Sequence, residues 1–285
     1  MTEYIWSRPI GRARLAVICE GNGGWPLERA LAGVPEAVWR PLVPTNRNGR
    51  IPISFNLAHL ALDGASILLD TGWGEHRPDT ADPPLTAIAD WELTPGVEPA
   101  LAQLGVRPEA VTHILITHMH WDHIIGAYRH VGGRPMPAYP NARVHVLDAE
   151  WQDAPAHHQP AGPINTAKAI LEAAGLVERH AGEHEVLPGV RLIPSPGESP
   201  GHALVRIETG ADSLYYVGDL VHLPAELAHP EWHPPFRDPA ALLASRRHWF
   251  PRFADEQALI LVAHMPFPAL GRVLRDGDHF RWQPL

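Results

Sequence analysis

One cysteine, Cys19, stands in the whole 285-residue chain. That excludes any intrachain disulfide and any zinc site built on several thiolates. Basic residues are also scarce: 23 Lys and Arg face 32 Asp and Glu, for a formal net charge of −9. Such a balance argues against a nucleic-acid groove or an anionic membrane surface as the main partner. No run of eighteen apolar residues occurs, and the N-terminal MTEYIWSRPIGRARLAVICEGNGG breaks its apolar stretches with charge. The expectation is therefore a cytoplasmic protein with no membrane-spanning segment. Internal repeats and low-complexity tails are missing as well.

Histidine is present in excess: 19 residues, beside 31 prolines that stiffen and shorten loops. Imidazole is the commonest metal ligand, so a chain with one thiol that binds zinc or iron must use His and carboxylates. The densest cluster lies in ITHMHWDHIIG (116–126), with His118, His120, Asp122 and His123 in six positions. The apolar HILIT just before it predicts a buried strand. Residues two apart in extended chain point the same way, so His118 and His120 can share one metal. Past the turn, Asp122 and His123 can serve a second.

Four ligands do not satisfy two metals, and three further segments supply more. PGESPGH ends in His202, LYYVGDL carries Asp219 after a glycine, and ILVAHMP presents His264. Each sets one His or Asp at the tip of an apolar segment or Gly turn, as α/β scaffolds commonly present chemistry. SILLD delivers Asp70 into a tight turn in the same way. Isolated histidines such as His59, His113, His130 and His145 read as surface or satisfied core residues.

The surrounding chain alternates strands and helices. RLAVIC (14–19) reads as a strand closed by a GNGG turn, in an otherwise irregular first fifty residues. A hairpin turns at DGA (63–65), between strands beginning at Ile51 and Ser66. PGVEPALAQLGV predicts a helix with Gly105 at its C-terminal cap, and INTAKAILEAAG a helix closed by Gly175. Strands are expected at 143–148, 190–194, 203–208, 214–217 and 258–264. Asp238 and Pro239 open a helix, and Pro251 suggests a break near 250. Strands in both halves with helices between them suggest two sheets face to face, with helices outside.

The ordered motifs LLDTGWG, THMHWDH, SPGH, YVGDL and VAHMP resemble those of the metallo-β-lactamase superfamily over about residues 50–270. The resemblance implies an α/β fold, a four-layer αβ/βα sandwich with two mixed sheets, in which residues 1–285 form a single domain. By the family pattern His118, His120 and His202 hold one metal; Asp122, His123 and His264 hold the other; Asp219 bridges them. Asp70 would fix the ligand loop from behind. Two divalent ions are implied, zinc first, with iron, manganese and cobalt compatible with the same donors. A bridging hydroxide would then attack a carbonyl or phosphoryl centre, with Asp122 orienting it and passing its proton to the leaving group.

Within the superfamily, GDLVH (218–222), AHMPFPALGRV and the segment 33–53 resemble acyl-homoserine lactonase-like and methyl-parathion-hydrolase-like members. Lactonases carry Tyr three residues after the bridging Asp, whereas this chain carries His222. His222 is thus a candidate for orienting substrate or acting as an acid, the alternative being plain packing in its loop. The implied reaction is hydrolysis of an ester-type bond in a small molecule: lactone, aryl ester or phosphotriester. A phosphodiesterase or nuclease-like hydrolase is the alternative, and a non-catalytic metal-stabilised binding protein a more distant one. Trp232, His233 and Phe236 are candidate pocket walls, and Met119, Trp121 and Phe267 flank ligand motifs. The resemblance also implies a homodimer, with residues 1–50 as an extension packing on the second copy.

Overall fold

The computed structural model describes residues 3–26, 30–31, 33–78, 88–153, 162–210, 213–235 and 237–285. Alternating apolar residues drive two sheets together. The first takes β1 (Ile5–Ile10), β2 (Ala13–Trp25), β3 (Ile51–Leu62), β4 (Ala65–Leu69), β5 (Ala89–Leu93) and β6 (His113–Leu115). A small hairpin, β7 (Tyr128–Val131) and β8 (Arg134–Pro137), stands apart. β9 (Arg143–Leu147) and β10 (Val177–His180) complete the first sheet in the order β1-β2-β3-β4-β6-β9-β10, with β5 on β2.

The second sheet is formed by β11 (His184–Leu187), β12 (Val190–Pro194), β13 (Ala203–Glu208) and β14 (Ser213–Tyr216), followed by β15 (Leu259–Leu261), β16 (Leu270–Asp276) and β17 (His279–Pro284). Its strands lie in sequence order, all antiparallel except the β14–β15 pair. Both sheets are mixed, because β4, β6, β9 and β10 run parallel to one another.

Strand alternation sorts the apolar residues into two cores. Leu15, Val17, Leu60, Ile67, Leu69, Leu115 and Leu147 meet Val205, Ile207, Leu214 and Tyr216 between the sheets. Their in-between neighbours Ile18, Leu57, Leu68, Ile114, Val144 and Val146 face outward onto the helices Val97–Gln103 and Pro163–Ala173. The helix Pro239–Asp255 covers the other sheet through Leu242, Trp249, Phe250 and Phe253. The result is the four-layer sandwich that the motif order implied.

Three local expectations change or sharpen. The GNGG segment is strand, not turn: Gly21 to Gly24 pair with Phe55 to Pro52 of β3. β5 also pairs with β2 there, so ladder partners on both sides outweigh the turn preference of Gly and Asn. Ile5–Ile10 and Ala13–Trp25 are therefore integral to a sheet. Pro251 does not break its helix, which runs on to Asp255. A proline there costs roughly 3 kcal/mol, and the buried Trp249, Phe250 and Phe253 around it offset that. The other caps agree: Asp238 accepts from Ala240 N and Ala241 N, while Gly105 and Gly175 adopt positive φ. The DGA hairpin also stands, with Asp63 and Gly64 both at positive φ as a two-residue type I′ turn requires.

Candidate metal centre

Strand ends and the turns beyond them bring the predicted side chains together. β6 runs out into Thr117–His123, β12 and β13 are joined through Ser195–His202, β14 leads to Gly218–Asp219, and β15 leads to His264. Gly218, at φ +49°, has a conformational reason to be glycine: a Cβ there would lie 2.9 Å from His202 Nε2 and 3.0 Å from Thr117. The turn is packed too closely for a side chain.

His118 Nε2 and His120 Nδ1 lie 2.9 Å apart, and Asp219 Oδ2 is 3.7 Å from the former. Asp219 Oδ1 faces the other way, 3.3 Å from His123 Nε2 and 3.0 Å from His264 Nε2. Asp122 Oδ2 closes that side at 3.5 Å from His123 Nε2 and 3.3 Å from His264 Nε2. His202 Nε2 accepts from the Asp219 amide at 3.2 Å. All seven predicted side chains thus converge on one place, with Asp219 in the middle.

The outer nitrogens of these rings are tied down. His202 Nδ1 donates to Ser195 O, His264 Nδ1 to Ser54 O, and His123 Nδ1 to Asp70 Oδ2. Each such bond fixes a tautomer whose Nε2 lone pair points inward, the arrangement found behind metal-binding histidines. His123 Nε2 and Asp219 Oδ1 are buried without a hydrogen-bond partner. Orphaned donor atoms of this kind, in an N/O set around a buried carboxylate, fit divalent metal ions.

Electrostatics point the same way. Burial, with neighbouring His123 and His120, holds His118 well below the usual imidazole range. Burial likewise lowers His120 to about 3 and His202 to about 4, so these rings are neutral and free to donate lone pairs. On the other side, Asp122, Asp219 and Asp70 outweigh burial and lift His123 well above its ordinary value. Asp219 is held well below the carboxylate range, against burial, by His264, His222, His123 and His118. The cluster of carboxylates draws positive charge to this spot.

His222 is buried in the same cluster. Its Nε2 is 3.0 Å from Asp219 Oδ2 and 3.0 Å from Arg237 Nη2, and its ring stacks on His264 at 5.0 Å. Trp25 lies 5.4 Å from it. The flanking candidates divide. Trp121 stacks on Trp73 at 5.5 Å, beside Phe55, which contacts His264 edge-on at 5.2 Å. Met119 and Trp232 are buried core, Phe267 packs against the inter-sheet core, and His233 turns to the Pro234 carbonyl. Phe236 lies outside the described residues.

Six ionisable side chains around the centre were not among the candidates drawn from the sequence. Glu198 Oε1 sits 3.3 Å from His120 Nδ1 and is held by Arg237, whose side chain is likewise buried. Glu150 accepts from Met119 N, Ser199 Oγ and Gly201 N, and so pins both histidine loops at once. Arg246, fully buried, donates to the Leu220, Pro230 and Trp232 carbonyls and to Glu226, which in turn accepts from His222 N. Only Glu198 carried a signal, lying inside PGESPGH.

Glu20 is the last of them. Its Oε2 accepts from Trp73 N at 2.7 Å, and a Cβ on Gly72 (φ +65°) would come within 2.0 Å of it. Burial raises Glu20 to about 8, so the folded chain keeps its proton across a range where the unfolded chain, near 4.5, has released it. Stability is therefore expected to fall as pH rises from 4.5 towards 8, because the unfolded chain releases this proton first. Glu20→Gln removes that contribution. In urea unfolding between about pH 5.5 and 8, the variant is expected to gain on the wild type as pH rises; parallel curves would refute it.

Comparison with known proteins agrees with this geometry. The family model of the metallo-beta-lactamase superfamily matches residues 57–279. The chain belongs to that superfamily, and it is a hydrolase of the metallo-β-lactamase fold. A probable metallo-hydrolase of Mycobacterium tuberculosis is 28% identical, over 90% of this chain and 86% of its own. An N-acyl homoserine lactonase of Bacillus cereus is 28% identical over 163 residues, 54% of this chain and 58% of that one. Among solved structures, the dizinc quorum-quenching lactonase AidC, in complex with a product, superposes with a TM-score of 0.80 at 22% identity, covering 99% of this chain and 97% of that one. The hydrolase AbOPH of the beta lactamase superfamily gives 0.82 at 20% identity, covering 100% and 98%.

Proposed function

We propose that this chain is a dinuclear metallohydrolase that opens ester-type bonds in small molecules, with lactones as the leading class. The observation that carries the reading is the placement of Asp219, one oxygen towards His118 and the other towards His123 and His264. His118, His120 and His202 would hold one divalent ion; Asp122, His123 and His264 the other; Asp219 would serve both. Zinc suits the donors, and the dizinc lactonase neighbour supports that choice. When bound, such ions supply Lewis acidity and lower the pKa of a coordinated water.

The chain's own groups supply the rest. Asp122, beside His264, is the carboxylate that would take a proton and hand it to a leaving alkoxide. His222, enclosed by Asp219, His264, Trp25 and Arg237, holds the Asp219 carboxylate in orientation. Phe55, Trp73, Trp91 and Trp121 form a continuous aromatic wall next to His264, suited to an apolar acyl group. His120, with a quarter of its side chain exposed, marks the open side.

The same proposal takes residues 1–285 as one domain that pairs with a second copy. Val38 and Leu42, exposed at 46% and 51%, give the N-terminal segment an apolar face for that contact. No described helix is long and apolar enough to cross a membrane; a cytoplasmic location belongs to the proposal and cell fractionation tests it. The central test is metal analysis with a panel of N-acyl lactones, aryl esters and phosphotriesters. Two ions per chain and chelator-sensitive turnover, highest on the lactones, are expected. Two ions bound with none of the three classes hydrolysed would sink the reading.

A further inference from the structure

A second group of ligand-type side chains lies away from this centre, on strands that contribute nothing to it. In the parallel pair β9–β10, Glu178 sits in register with His145, and His180 follows two residues on, on the same face. That face is turned towards the second sheet, as the neighbouring Leu115 and Leu147 show by joining the inter-sheet core. At this edge of the sandwich His113, His145, His180 and His184 form a row of near-parallel rings. Successive centroids are 5.5, 5.4 and 3.8 Å apart, with interplanar angles of 17°, 8° and 12°. His184 comes from β11, so the row spans the seam between the sheets.

Within the row three donor atoms converge. His145 Nδ1 is 3.1 Å from His180 Nε2 and 3.8 Å from Glu178 Oε2. The other Glu178 oxygen is 3.4 Å from Arg143 Nη1. Around a tetrahedral ion bound at about 2.0–2.1 Å, neighbouring ligand atoms stand roughly 3.3 Å apart. The measured spacings bracket that value. His145 is buried, and its Nε2 has no hydrogen-bond partner among the described residues. Its polar contacts lie on the Nδ1 side, where His180 and Glu178 meet it.

We infer that His145, Glu178 and His180 form a further binding site for a divalent transition-metal ion, clamping β9 to β10 at the sheet edge. Two imidazoles and a carboxylate are a zinc-type set, and the same donors accept nickel, copper or cobalt. Burial leaves the rings neutral: His145 falls to about 3 through desolvation and the adjacent His113, His180 and His184, and His180 is lowered by burial and His184. Neutral rings present lone pairs, and stacked neighbours resist taking protons instead. Three protein donors leave a fourth tetrahedral position for water.

The test counts zinc. Metal-stripped protein is titrated with zinc by calorimetry, for the wild type and for Glu178→Gln and His180→Asn, both at partly exposed positions. Each variant is expected to bind one equivalent fewer than the wild type while keeping hydrolytic activity within about twofold. This difference is independent of how many ions the main centre holds, so failure of the dinuclear reading would change the total and not the step. A chain carrying Asp219→Asn and His123→Ala is expected to retain the equivalent that His180→Asn then removes. Equal stoichiometry in wild type, Glu178→Gln and His180→Asn would overturn the inference.

Discussion

Asp219→Ala is expected to lower kcat/KM by on the order of 10³-fold or more, a loss of about 4 kcal/mol of transition-state stabilisation, and to take at least one metal ion with it. The size follows from the position. Asp219 is buried, and among the described residues no other carboxylate faces both halves of the cluster: Oδ2 approaches His118 and His222, while Oδ1 approaches His123 and His264. Removing it would leave the two proposed ion positions without their shared anion, and it strips His264 and His222 of the charge they face. Asp219→Asn is the sharper comparison, because it keeps volume and one oxygen while deleting the charge. It is expected to fall nearly as far as alanine. Steady-state kinetics with metal analysis of the same preparations decides the matter, and full activity with two ions retained would remove Asp219 from the assignment.

Asp70→Ala is expected to destabilise the fold by about 3–5 kcal/mol, near the upper end for single substitutions, and to weaken metal binding by roughly 10–100-fold. Asp70 touches no other member of the centre than His123, yet it holds the ligand loop. Its oxygens accept from Thr117 N at 2.7 Å, Thr117 Oγ1 at 2.8 Å, Tyr216 OH at 2.8 Å and His123 Nδ1 at 2.7 Å. Alanine would remove an acceptor from four buried donors; Tyr216 OH keeps Asn56 O at 3.3 Å and Thr117 Oγ1 keeps His118 Nδ1 at 3.1 Å, and a donor left unpaired costs roughly 1–3 kcal/mol before relaxation. The backbone adds to this: Asp70 lies at φ 60°, which Asp and Asn tolerate and alanine does not. Asp70→Asn is therefore expected to recover much of the stability and less of the metal affinity, since its amide nitrogen cannot accept from His123. Urea unfolding and zinc titration of the two variants separate the effects; an alanine variant with wild-type midpoint and affinity would refute the role.

The chain order of ligand motifs already implied how the site is assembled. His118, His120, Asp122, His123, His202, Asp219 and His264 could be picked out because each ends an apolar segment or sits after Gly. Strand ends are where a sandwich exposes side chains, and apolar periodicity marks strand ends in the sequence itself. The same local rules located the hairpin at Asp63-Gly64, the caps at Asp238, Gly105 and Gly175, and the alternation that produces two sheets. They failed where a distant partner overrode a local preference: GNGG became strand because β3 and β5 flank it, and Pro251 stayed in its helix because Trp249, Phe250 and Phe253 pack around it.

Tertiary structure alone decided which charges stand behind the ligands. Glu20, Glu150, Glu226, Arg237 and Arg246 lie in unremarkable stretches of sequence, and each becomes legible only through what folding buries beside it. A buried charge is tolerated only where other parts of the chain satisfy it. Many of those partners are distant in sequence: 15 residues for Arg237 with His222, 51 for Glu150 with Gly201 and 53 for Glu20 with Trp73. The histidines repeat the lesson. His59 and His130 find ordinary partners in Ser66 and Glu75. His145, equally isolated in sequence, meets Glu178 and His180 because β9 and β10 align in parallel register. Sequence determined which segments could present a ligand; register and packing decided which side chains would meet, because distances between strands are not written in the order of residues along any one of them.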